Sequence, residues 1–264
     1  MSVRLSTWFN LKTIYSGDRV EVYKYSIAQE RGYEGRNKTG RRGKGMANKE
    51  KNRREVLNRA RNNIIRLVNC NPDMQTFISL TYRENMQDLQ LSKMHLNKLF
   101  KELKRDFRNF KYLYVLEFQQ RGAIHYHVLC NLPVNVPTAK PRELKPELQK
   151  LLEQQFHEMY WPYGWVDIRD LQQEGNTNAG LYVSVYLVED LYKLDLGGAK
   201  CYGYSRNLYK PVERTSYTKL KPHEIPVVYA ENHDLVYTNN YNMVYEKDKR
   251  LYTNNVNYFD MYRK

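Results

Sequence analysis

Glu117, His125 and His127 are the residues whose types and spacing could do chemistry, in the run Glu117-Phe118-Gln119-Gln120-Arg121-Gly122-Ala123-Ile124-His125-Tyr126-His127. Successive side chains of a strand point to opposite faces, so His125 and His127 share a face from which Tyr126 turns away. Tyr112 to Phe118 and Ile124 to Cys130 both read as strands, with Arg121-Gly122 supplying the turn of a hairpin. Glu117 then lies across from the histidines, with Gln119 on its own face, and which of the two would complete a metal shell stays open. Two neutral imidazoles and a carboxylate suit Mn²⁺, Mg²⁺, Fe²⁺ or Zn²⁺ and leave coordination positions for substrate oxygens. A His-x-His pair can also be two ordinary polar residues on a wet face. Here it sits inside Ala-Ile-His-Tyr-His-Val-Leu, an apolar strand in which two unpartnered rings would be costly to bury.

The charge of the chain bounds what such a centre would act on. Its 264 residues carry 43 Lys+Arg against 29 Asp+Glu, a formal net charge of +14, which points to a polyanion and first of all to nucleic acid. The 24 tyrosines interleave with basic residues as in proteins that stack single-stranded bases, although many will fill the core. From Arg31 to Arg54, ten Lys/Arg stand against Glu34 and Glu50, a local charge of +8 in a Gly-rich setting suited to sequence-blind phosphate binding. Arg41, Arg42, Lys44, Arg53 and Arg54 of this arm are candidate DNA contacts, joined by Arg121, Lys193 and Arg206. Gly35-x₄-Gly40 begins like a P-loop, but Arg41-Arg42 stand where Lys-Ser/Thr belongs, so neither a nucleotide cofactor nor a fused helicase motor is expected. Cys70, Cys130 and Cys201 are odd in number and widely spaced, which argues against a disulfide framework or a zinc ribbon. With no run of 18 apolar residues and no signal-peptide core in Met1 to Asn10, no membrane partner and a cytoplasmic location are expected.

A cation in a basic protein suggests phosphodiester chemistry, with water or a side chain as the attacker. Tyr182 and Tyr186 lie four residues apart on one face of an expected helix, Ala179 to Tyr192, so either phenol could reach the same phosphate. With 24 tyrosines in 264 residues, about one position in eleven is tyrosine, and the pair alone says little. Its weight comes from following the histidine hairpin after one intervening strand.

The elements that must position these groups alternate in type. After a strand over residues 18 to 26 and the basic arm, helical periodicity runs from Asn48 to Asn69, then a strand Thr76 to Tyr82 and an amphipathic helix Leu89 to Phe107. The histidine hairpin follows, then a Pro-rich connection, a helix near Glu147–Tyr160, a strand Trp165 to Arg169 and the tyrosine helix. This order predicts an α+β fold in which a central antiparallel sheet of about five strands, ferredoxin-like, carries helices on one face and puts the histidines on a central strand. Three regions are expected: residues 1–70 with the first strand, basic arm and helix; a nuclease domain over 71–216; and a Tyr/Asn-rich extension over 217–264, read as an appended hairpin or partly ordered tail. His95 and His157 read as helix-packing or surface residues, and His223 and His233 receive no role.

Over roughly residues 76 to 212 the chain resembles the rolling-circle replication initiators of the HUH endonuclease superfamily, as in small plasmids and phages of Gram-positive bacteria. Phe77-Ile78-Ser79-Leu80-Thr81 is similar to the first motif, Glu117 to His127 to the second, and Tyr182-x₃-Tyr186 to the tyrosine motif; Cys201 to Leu208 is similar to the segment that often follows. The resemblance implies an HUH nuclease fold related to RRM-like sheets. It implies Glu117, His125 and His127 as ligands of a divalent metal, Mn or Mg, with Tyr186 as the primary nucleophile and Tyr182 as the alternate. It further implies nicking and rejoining of single-stranded DNA at an origin hairpin through a 5′-phosphotyrosyl link, with a host DNA polymerase and helicase as partners. The family's tyrosine helix commonly has lysines where this chain has Val185 and Glu189, which moves their role to Lys193, Lys200 or Arg206 or leaves it unfilled. The rivals are a mobilisation relaxase or single-tyrosine transposase with the same parts, a binding-only initiator, and a two-His-one-carboxylate oxygenase, in which a charge of +14 would have no role.

Overall fold

A computed structural model describes residues 7–31, 49–119, 122–187, 200–247 and 250–264. Arg41, Arg42, Lys44, Arg121 and Lys193 lie outside the described residues, and for Arg53 and Arg54 only the helical backbone is described. The chain forms two units, one of residues 45–209 and one of residues 1–44 with 210–264.

The central unit holds a helix α1 (Lys49–Asn69), then β3 (Thr76–Tyr82), α2 (Leu89–Asp106), β4 (Tyr112–Phe118), β5 (Ile124–Cys130), α3 (Glu147–Tyr160), β6 (Gly164–Asp170), α4 (Ala179–Ser184) and β7 (Tyr202–Tyr204); β1 and β2 belong to the other unit. Its five strands make an antiparallel sheet in the order β6-β3-β5-β4-β7, so the histidine strand β5 is central, as the alternation predicts. One face packs on α2 and α3. The α2 stripe Leu96, Leu99, Phe100 and Leu103 is buried, Phe100 stacks on Tyr112 at 3.6 Å between ring centroids, and Ser92 bonds the Tyr126 hydroxyl at 2.9 Å. Asp88 caps α2 by accepting from the backbone N–H of Gln90 and Leu91. The opposite face carries the histidines and meets α4, on which α1 packs. Helices therefore cover both faces, not one as expected: Phe77, Leu129 and Leu113 make the histidine face apolar at one end, and that end also needs covering.

The tyrosine helix is shorter than its expected span to Tyr192. It ends at Ser184, where Ser184 Oγ donates back to the Leu181 carbonyl at 2.9 Å and β-branched Val183 and Val185 flank the break. The chain then tightens through i→i−3 bonds from Tyr186 to Val183 and from Leu187 to Ser184, while Glu189 lies beyond the described residues.

The other unit is a second antiparallel sheet, with β1 (Thr7–Ser16), β2 (Arg19–Arg31), β8 (Val212–Ser216), β9 (His233–Lys247) and β10 (Arg250–Arg263) in the order β8-β1-β2-β10-β9, and a short helix α5 (Ile225–Tyr229). The Tyr/Asn-rich C-terminal residues thus form a hairpin that pairs with β2 over a small core of Val20, Val22, Ile225, Phe259 and Met261. Fully buried Asn254 fixes the register, exchanging bonds with both the N–H and C=O of Ile27. All three cysteines are free, and no described helix is long and apolar enough to cross a membrane.

Candidate active site

Pleat and register assemble the site. On one side of β5, Glu117 of β4 stands directly opposite His125 and Val115 opposite His127; on the other side, Thr81 and Ser79 of β3 stand opposite the same two histidines. The hairpin between β4 and β5 closes through Gln119 N–H to the Ala123 carbonyl and Gly122 N–H to the Gln119 carbonyl, with Gly122 at φ 81°, a conformation that favours glycine. Trp165, Asp167 and Arg169 of β6 lie opposite Thr81, Ser79 and Phe77, so they share the histidine face.

His127, 5% exposed, holds its Nε2 at 2.6 Å from the Glu117 Oε2, and the His125 ring lies 4.7 Å from the His127 ring. Each Nδ1 faces a hydroxyl of β3: His127 at 3.3 Å from Ser79 Oγ, and His125 at 3.4 Å from Thr81 Oγ1. Donation of the Nδ1 proton to these oxygens would leave Nε2 as a lone-pair donor, the usual way an outer partner fixes a ligand imidazole. Gln119 also sits at Nδ1 of His125, 3.1 Å away, while Glu117 reaches Nε2 of His127. Of the two candidates, the carboxylate is the one on the ligand side.

Burial pushes the proton affinity of His125 down to about 4 and that of His127 below its ordinary range, against the opposing pull of Glu117, so both rings are neutral at pH 7. Burial raises the Glu117 carboxyl, but its bond to His127 and the two imidazoles outweigh this and hold it below the usual range. The Nε2 of His125 is buried without a hydrogen-bond partner among the described residues, an orphan donor atom next to an imidazole–carboxylate pair. No three described His, Cys, Asp or Glu side chains form a ready-made metal cage, because the direct His127–Glu117 bond takes the space where an ion would sit. The donor set fits a divalent cation by chemistry once that one bond opens.

Both tyrosines come to this face. Tyr186 stacks on His127 with ring centroids 3.6 Å apart, Tyr182 meets Phe77 edge-on at 5.1 Å, and the two phenol rings are 6.1 Å apart. Burial raises the Tyr186 phenol well above its ordinary value, the Tyr182 hydroxyl adds to this, and Arg169 partly reverses it. Arg169, 6% exposed, lies over the Phe77 ring at 4.9 Å and the Tyr182 ring at 5.5 Å and hydrogen-bonds with both tyrosines. Asp167 at 3.1 Å and Glu174 at 3.4 Å hold the guanidinium, and Lys145 secures Asp167 from the other side at 2.6 Å. Motif spacing does not single out Arg169, although the alternation Trp165-Val166-Asp167-Ile168-Arg169 carries the signal that it shares a face with Asp167. Arg206 is exposed, and neither Lys200 nor Arg206 has a described contact with the tyrosines.

Residues 75–191 match a family model described as a replication-associated protein of the ORF2 type, a span holding all five candidate residues, Glu117, His125, His127, Tyr182 and Tyr186. The match covers less than half of the chain and makes that stretch similar to a replication-associated protein. No curated protein and no solved structure matches the chain.

Proposed function

We propose that this protein initiates rolling-circle replication by nicking and rejoining single-stranded origin DNA through a phosphotyrosyl intermediate. The observation that carries this reading is the stacking of Tyr186 on His127, which sets a phenol beside an imidazole–carboxylate group on one sheet face. The similarity of residues 75–191 to replication-associated proteins and the charge of +14 support it.

In the proposed reaction the Tyr186 oxygen attacks the scissile phosphorus and the bond from phosphorus to the 3′ oxygen breaks. The products are a 5′-phosphotyrosyl link and a free 3′-OH, and the phenol proton is balanced by the one gained on the leaving 3′ oxygen. A divalent cation, Mn²⁺ or Mg²⁺, held by Glu117, His125 and His127 would polarise a phosphoryl oxygen. Ser79 and Thr81 orient the two imidazoles from behind. Arg169 places a fixed positive charge beside both phenols, in the role the family's lysines have and Val185 and Glu189 cannot fill. Tyr182 is the alternate nucleophile. Attack of a 3′-OH on the phosphotyrosyl link reverses the chemistry and needs no ATP. A host polymerase extending the 3′-OH and a host helicase are the proposed partners.

Tyr186→Phe and His127→Ala test the reading when cleavage and retention of single-stranded DNA are measured separately. Both variants are expected to bind DNA and to cut it at least about 10²-fold more slowly. Full cleavage by Tyr186→Phe with Tyr182 also replaced would dismiss the tyrosine mechanism.

A further inference from the structure

Trp165 is 61% exposed, an unusual state for the largest apolar side chain, and it stands on the face that carries the candidate chemistry. The row across the sheet runs Trp165, Thr81, His125, Glu117, each directly opposite the next in register. Trp165 therefore lies two strand spacings, about 10 Å, from His125. Only Thr81 stands between them, and its hydroxyl is engaged with His125 Nδ1.

The position is held firmly. The backbone of Thr81 and Arg83 comes so close to Gly164 that a Cβ there would collide with it, and Arg83 N–H bonds the Tyr163 carbonyl at 3.0 Å. The backbone beneath the indole is thus fixed to β3, and exposed Arg83 follows the same strand. The neighbouring aromatics turn elsewhere: Tyr163 stacks on His95 at 3.7 Å, and Trp161 is fully buried against Tyr82.

We propose that Trp165 is a stacking platform for a base of single-stranded DNA adjoining the phosphate held at the Glu117, His125 and Tyr186 site. The inference rests on the reading of single-stranded DNA as the substrate and adds a base-contacting residue to it. A net charge of +14 draws the backbone to the protein without regard to sequence, and an exposed indole gives the flanking base a π-face to rest on. Every base has such a face, so Trp165 would hold the strand and fix the site along it while accepting any base.

The test compares binding of the full chain to a fluorescein-labelled oligothymidine and to an equally long, equally charged abasic deoxyribose-phosphate oligomer, at one salt concentration. Wild type is expected to prefer the oligothymidine. Trp165→Ala should weaken oligothymidine binding by about 5- to 150-fold and leave abasic binding nearly unchanged, and Trp165→Tyr should restore most of the loss. Equal weakening of both probes by Trp165→Ala, or of neither, overturns the platform while leaving the nicking reading intact. If wild type binds neither probe, the platform and the substrate reading fall together. Circular dichroism of the variants shows that each is folded.

Discussion

At the scale of single residues, the site depends on which groups stay neutral and which stay charged. Arg169 is the one buried cation beside both tyrosines among the described residues, and its partners Asp167 and Glu174 keep it ionised and in place. Arg169→Ala is expected to lower the rate of single-strand cleavage by about 10²-fold, with Arg169→Lys recovering part of it, because a donor aimed at developing charge is worth that order. An unchanged cleavage rate would remove Arg169 from the mechanism. The histidines make a second prediction. The folded-state proton affinity of His125 is down at about 4, whereas in the unfolded chain it is about 6.5. Between those values the unfolded chain holds a proton that the folded chain does not, so stability falls as pH drops from about 6.5 to about 4, by up to roughly 3 kcal/mol. Urea unfolding of EDTA-treated protein across that window checks it, and His125→Asn should flatten the slope. The candidate ligands were legible from spacing alone because a two-residue period fixes their face. Arg169 was not, since contact between a β6 side chain and α4 depends on how the two elements dock.

At the scale of elements, the tyrosines are set by a close crossing of α1 and α4. A Cβ at Gly180 would come within 3.0 Å of the Ile65 Cα and 3.1 Å of the Val68 Cβ, so the helices approach because that residue is glycine. Arg61 ties the end of this segment by donating to the Leu187 carbonyl at 2.7 Å, and Asn63 donates to the Tyr202 hydroxyl at 2.9 Å. Gly180→Ala gains about 1 kcal/mol of helix propensity, but overpacking costs about 1–3 kcal/mol, for a net loss of about 1 kcal/mol. It should also slow cleavage more than it weakens DNA binding, because it shifts Tyr182 and Tyr186 and leaves the basic surface alone. Denaturation midpoints and cleavage rates measured on the same preparation separate the two effects. The sequence showed where β3, β4, β5 and α2 lie, since their periodicities are strong and their turns carry Gly or Asp caps. It overextended the tyrosine helix because Ser184 and its β-branched neighbours look compatible with helix until the Ser184 side chain bonds back to the Leu181 carbonyl.

At the scale of the whole molecule, an N-terminal hairpin and the last strands of the chain form one sheet, joined by bonds such as Asn10 Nδ2 to the Thr218 carbonyl across 208 residues. Alternation marked residues 18 to 26 as a strand and the C-terminal tail as a hairpin, but a strand pattern does not name its partner, so the second sheet was hidden. The charge of +14 was plain from composition and gives a prediction that needs no register. Binding to single-stranded DNA should weaken steeply with salt, with a log–log slope of about −3.5 if roughly five phosphates are neutralised. A slope near zero in a salt titration would mean that charge does not hold the strand.

The central claim is that a tyrosine on α4 or just after it attacks DNA beside the histidine face. Its most direct test is to incubate the protein with single-stranded DNA carrying an origin hairpin and Mn²⁺, with and without EDTA, and to follow a denaturing gel with peptide mass mapping. The expected result is a covalent protein–DNA adduct that needs the metal and maps to Tyr186, moving to Tyr182 in Tyr186→Phe. Cleavage of the same DNA with no adduct on either tyrosine would contradict the account and make water the attacker.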